Sequence, residues 1–167
     1  MQQSESSEHR QEPTIAELTA GLSKFARVLQ EAVTLRKAHK PYLMIAGDPQ
    51  ILEAINRLVS EPTKMKITDI VCERGLEDPE AKELFEAWTA AHQARIELTV
   101  ENNDPKPGIA FLVTTAGVYF SAGYYDEAID ALNDAKQLAM STEHPELIEE
   151  LQIDNRLQKI LAAMHEG

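Results

Sequence analysis

The side chains that most often perform chemistry in proteins are scattered along this chain. The five histidines are His9, His39, His92, His144 and His165. No two of them lie with a carboxylate at metal-ligand spacing, and the two-histidine helical zinc motif is absent. Adjacent carboxylates such as Asp126-Glu127 and Glu149-Glu150 are typical of solvated helix faces in an acidic chain. The sequence therefore predicts no catalytic residue, no metal site and no cofactor.

The one cysteine, Cys72, lies in an apolar run, which favours a small buried side chain in a reducing compartment. His92 lies beside the apolar stripe of Trp88, which favours a partly buried and hydrogen-bonded imidazole. An enzyme or a ligand-binding protein is the alternative hypothesis, and it needs folding to bring distant residues into one pocket. That pocket would lie near Tyr42, Asp48, Cys72 and His92.

The charge balance limits the class of partner. Lys and Arg number 16 against 28 Asp and Glu, which gives a formal net charge of −12. Because this charge repels phosphate backbones, we expect no nucleic acid to bind. Acidic faces favour a basic partner, mainly by steering its approach. The polar N-terminus lacks the features of a signal peptide, and no stretch reaches the roughly 20 apolar residues of a spanning helix. We therefore expect no membrane partner and a cytoplasmic location.

Length and composition suit one domain of 167 residues. Residues 1–12 are polar, and we predict a disordered N-terminal tail there because little apolar surface is available for burial. Residues 13–167 are predicted to form a single helical domain.

Helical spacing and capping residues place the elements of that domain. Thr14 and Glu17 fit a capping box, and Asp48 and Asp78 each precede a proline, a typical helix start. Residues 41–46 are compatible with either a strand or a helix, and the breakers at 102–108 predict a loop. For residues 63–74 a helix that stops at Gly75 is favoured, with a strand as the alternative. The predicted helices span 14–35, 48–59, 63–74, 78–100, 109–122 and 125–140, with a last helix that begins at Pro145.

The stretch around Gly123 carries the most specific pattern in the chain. Small residues lie at Ala116, Ala128 and Ala135, and Gly123 separates two predicted helices at a turn, where a positive φ costs little. Large side chains accompany them at Tyr119, Tyr125 and Leu132. This arrangement resembles a tetratricopeptide repeat (TPR) over about residues 109–140, with residues 145–165 as a capping helix. The resemblance implies that the three alanines lie where the two helices of the repeat approach closely.

The resemblance implies an all-α fold in which antiparallel helical hairpins stack as a short TPR-like superhelix. One repeat cannot bury its own faces and usually needs about three stacked units. Because a second clear copy is missing upstream, a non-repeat helical bundle is the alternative fold.

In the TPR family, the first helix of each repeat lines a concave groove that receives a peptide. The corresponding positions here are Ala110, Val113, Gly117, Phe120 and Ser121. None is a Lys or Asn, with which chaperone adaptors of that family hold a terminal carboxylate, so we expect an apolar groove. Such a groove would bind a partner, or be covered by the chain's own N-terminal helix or by a second copy in a homodimer.

The sequence thus predicts a non-enzymatic protein–protein interaction module. An adaptor, a small chaperone and an assembly factor all fit this description. The predicted partner is another protein or peptide, basic or amphipathic in character.

Overall fold

The chain folds into helices throughout the part that the computed structural model describes, which comprises residues 14–38, 53, 56–57, 60–100 and 104–166. The helices are α1 (Ile15–Lys37), α2 (Glu61–Arg74), α3 (Pro79–Thr99), α4 (Lys106–Ser121), α5 (Tyr125–Ser141), α6 (Glu146–Glu150) and α7 (Ile153–Glu166). These ranges contain no strand, so the predicted all-α fold class is confirmed. The predictions for 1–12, for 41–46 and for a helix start at Asp48 lie outside the described residues.

The first layer consists of α1 and α2, both packed on α3. Thr14 caps α1 as predicted, since its Oγ1 accepts a hydrogen bond from the Glu17 amide at 3.1 Å. The apolar stripe of α1 then faces α3, where Leu22 and Trp88 are fully buried in one core cluster. Gly75 ends α2 with a φ of 79°, as the sequence predicts for a helix stop at this glycine.

The second layer is the hairpin of α4 and α5, which carries the TPR-like pattern. Ala116 is 2% exposed, and Ala128 and Ala135 are 0% exposed, so all three predicted small contacts are buried between helices. Gly123 turns the chain with a φ of 86°. Small side chains thus let the two helices lie close along their length.

The predicted loop at 102–108 is too long, because α4 already begins at Lys106. Pro107 and Gly108 belong to its first turn. A proline fits there because the first amides of a helix have no partner within the helix. The breaker residues therefore mark the helix start as well as the loop.

The last helix is not continuous, contrary to prediction. α6 ends at Glu150, Gln152 takes a φ of 55°, and a separate helix, α7, begins at Ile153. On one straight helix, Leu147 and Ile153 would lie roughly 120° apart around the axis. The break lets both side chains enter the same core cluster, where they are 4% and 0% exposed.

Candidate peptide-binding groove

A cavity of about 210 Å³ lies between α4, α5 and α7. Of the predicted groove residues, Val113, Gly117 and Phe120 line it. Ala110 and Ser121 do not, because they lie roughly 60–80° around α4 from Val113, at the edge of the face. The structure therefore brings together the centre of the predicted set and leaves out its two ends.

The floor of the cavity is apolar. Val113 is 7% exposed, and it lies with Leu132 of α5 and Ile160 of α7, which are both almost fully buried. At one side, the ring of Phe120 packs on Tyr125 with centroids 5.7 Å apart. These contacts fix the apolar walls without filling the space between them.

Gly117 keeps the groove open. A Cβ atom built on this glycine would meet no atom within 4 Å. The volume exceeds the roughly 150 Å³ of an engineered apolar cavity that holds a benzene molecule. The groove therefore has room for one side chain of the size of Leu or Phe.

The wall contributed by α7 is polar and basic. Asn155, Arg156 and Lys159 lie along it, next to Gln152, and none of the residues that line the cavity is an Asp or Glu. Arg156 donates through Nε to the Leu151 carbonyl at 3.0 Å. This wall does not follow from the repeat pattern, which assigns the last helix to a cap and places the groove on α4 alone.

Arg156 and Lys159 form the basic rim of the cavity. Neither side chain has a carboxylate partner in the described part of the chain. Neighbouring lysines differ in this respect, since Lys106 pairs with Glu150 and Lys136 with Asp154 at 2.8 Å. The hydrogen bond to Glu150 and then its charge raise the pKa of Lys106. In a chain with 28 acidic residues, unpaired cations at a cavity leave a local positive field.

The chain's own N-terminal helix, α1, does not cover the groove, which decides against that one of the alternatives. α1 packs along α3, and no α1 residue is among those that line the cavity. The apolar stripe of α1 is instead buried in the clusters that contain Leu84, Trp88 and Leu98 of α3.

The alternative pocket receives little support from the described residues. Cys72 is exposed, which corrects the prediction of a buried thiol. The inward face of α2 carries Ile67 and Val71, and Cys72, the next residue, is rotated by roughly 100° away from that face.

His92 is partly buried as predicted, but its Nδ1 has no hydrogen-bond partner in the described structure. Tyr42 and Asp48 lie outside the described residues.

Within the described ranges, no group of three or more His, Cys, Asp or Glu residues is placed to hold a metal ion. A membrane-spanning helix, with the necessary length and apolar character, is likewise not found among these residues. The fold and the groove together define an all-α protein with a cavity that has room for one side chain. Comparison with protein-family profiles, with curated proteins and with solved structures finds no match to this chain.

Proposed function

We propose that this chain is a non-enzymatic protein–protein interaction module that receives a peptide or helix of another protein in the groove between α4 and α7. An adaptor, a small chaperone or an assembly factor would use such a site. The observation that carries the proposal is the 210 Å³ cavity, which is apolar at its floor and open at Gly117. Apolar grooves between helices are a common way to anchor an amphipathic segment.

The α4–α5 hairpin supports the proposal further, because its buried alanines and its Gly123 turn fit a single TPR-like unit. We propose that α6 and α7 cap this unit. α7 begins directly after the interruption at Gln152 and packs on α5, so that the cap also forms one wall of the groove beside α4.

Site-specific photocrosslinking tests this function. A benzoylphenylalanine at Asn155, an exposed position on the groove wall, should crosslink a discrete partner in an extract of the source cells. The same probe at Gln137, which is exposed on α5 outside the cavity, is the control. Adding Gly117→Phe to the Asn155 probe should suppress the crosslink, because the new ring enters the open space.

The proposal would be overturned if both probe positions gave the same crosslinks, or if Gly117→Phe left them unchanged. A turnover activity that a single substitution abolishes would also contradict a non-enzymatic role.

A further inference from the structure

We infer that the groove selects a segment of another protein in which an apolar side chain lies next to an Asp or Glu. This inference rests on the proposed function and specifies the partner's chemistry. The apolar floor accounts for the anchor, and the basic rim of α7 accounts for the acidic neighbour.

Shape sets the first requirement. Val113 and Ile160 at the floor offer no hydrogen-bonding side chain, so a polar anchor would lose its hydration without a replacement partner. The cavity of about 210 Å³ holds one large apolar group. Leu, Met and Phe meet both conditions.

Charge sets the second requirement. Lys159 makes no ion pair or hydrogen bond within the described structure, and Arg156 uses its Nε on the Leu151 carbonyl. The rest of the Arg156 guanidinium remains available for a carboxylate, which it can hold in a two-pronged geometry. No acidic residue lines the cavity to compete for either cation.

The net charge of −12 favours the approach of a basic partner at long range, but it does not determine which side chains bind in the groove. At physiological salt the screening length is roughly 8 Å. Charges that line the cavity are therefore felt more strongly by a docked side chain than the acidic surfaces of distant helices. The rim is a local exception to the acidic character of the chain.

A display selection with random internal peptides on the full chain tests the inference. At physiological salt, the enriched peptides should share a large apolar residue with an Asp or Glu close to it. A synthetic, amidated version of the strongest peptide should bind Lys159→Glu roughly three- to tenfold more weakly than the unmodified chain, as for a partly exposed ion pair that becomes a repulsion. Lys24→Glu on α1 makes the same charge change away from the groove and should bind with unchanged affinity.

The remaining outcomes separate the inference from the function on which it rests. Enriched peptides with apolar anchors and neutral or basic neighbours would overturn the inference and leave the proposed function in place. Peptides that bind equally well to Gly117→Phe, or a selection without groove-dependent peptides, would overturn both. A dimer in sedimentation velocity that Gly117→Phe dissociates would assign the groove to a second copy and would also overturn the inference.

Discussion

His92 shows what burial does to a single titratable side chain in this protein. Its ring stacks on Phe111 with centroids 4.2 Å apart, and Trp88 meets it edge-on at 5.7 Å. In the described structure, His92 Nδ1 and Trp88 Nε1 are buried without a hydrogen-bond partner. Burial, and after it the positive charge of Arg95, lowers the pKa of His92 below its ordinary 6.5. The folded state therefore favours the neutral form of the imidazole.

This burial predicts a pH dependence of stability. The contribution of His92 is complete only well above pH 6.5, where the imidazole is neutral in both the folded and the unfolded state. As the pH falls through that value towards the lower folded-state pKa, the unfolded chain binds a proton that the folded chain resists. The free energy of unfolding should therefore decrease between about pH 7.5 and pH 5.5. In His92→Phe, which keeps a stacked ring, this part of the decrease should be absent.

Urea unfolding at the two pH values measures the effect. His165→Gln, at an exposed position near the end of α7, should retain the pH dependence of the unmodified chain. An identical decrease in the unmodified chain and in His92→Phe would show that His92 does not resist protonation in the fold.

At the scale of elements, α3 depends on α1 for its C-terminal cap. α3 has no basic residue in its own last turn. Arg36 of α1 supplies the charge, since its Nη1 donates to the Leu98 carbonyl at 2.6 Å and its Nη2 to the Val100 carbonyl at 3.4 Å. A cation at a helix C-terminus both satisfies free carbonyls and complements the helix dipole.

Arg36→Gln should lower the free energy of unfolding by about 1–2 kcal/mol, because two charge-assisted hydrogen bonds are lost. Denaturant titration measures the change. Lys37→Gln removes the same charge from the exposed neighbour and should change the value by less than about 0.5 kcal/mol. Equal losses in the two variants would contradict the capping role.

Two glycines of the α4–α5 hairpin should respond to alanine in opposite directions. Gly117 lies within α4 with open space around it, so Gly117→Ala should stabilise the protein by up to about 1 kcal/mol through helix propensity. Gly123 also has space, but its φ of 86° disfavours a Cβ atom, and Gly123→Ala should destabilise by about 1–2 kcal/mol. Thermal and denaturant unfolding of both variants show whether each substitution raises or lowers the stability. A gain in stability from both substitutions would contradict the positive φ assigned to Gly123.

At the scale of the whole molecule, two turns meet between the α1–α3 half and the α4–α7 half. The hydroxyl of Tyr124, at the α4–α5 turn, accepts a hydrogen bond from the Leu76 amide at 2.6 Å and donates one to Glu77 Oε2 at 2.9 Å. A Cβ atom on Gly75 would lie 3.1 Å from that hydroxyl and 2.6 Å from Glu77 Oε2. Tyr119 packs against both main core clusters nearby. This junction, together with the packing of Phe111 on Trp88 and His92, joins the α4–α7 half, with its groove, to the α1–α3 half.

Tyr124→Phe should therefore lower the free energy of unfolding by about 1 kcal/mol and increase hydrogen exchange at the Leu76 amide, which loses its acceptor. The adjacent Tyr125 provides the matched control. Its hydroxyl has no hydrogen bond in the described structure, so Tyr125→Phe should leave both quantities nearly unchanged. Unaltered exchange at Leu76 in Tyr124→Phe would mean that the junction does not protect this amide.

The helices and most of their ends could be predicted from the sequence, because the signals are local. Thr14 and Asp78 accept hydrogen bonds from amides three residues on, and Gly75 and Gly123 take positive φ values that disfavour other residues. Such interactions need only neighbours along the chain. The centre of the groove on α4 follows from the same helical period, since Val113, Gly117 and Phe120 share one face.

The tertiary structure alone decided which faces meet. Burial of both Leu147 and Ile153 on α5 required the break at Gln152, and that break placed Lys159 at the groove. The exposure of Cys72 depended likewise on the direction in which α2 faces α3. A periodic pattern determines a helix and its apolar face, but the residues opposite that face come from distant segments, and their packing is a property of the folded chain.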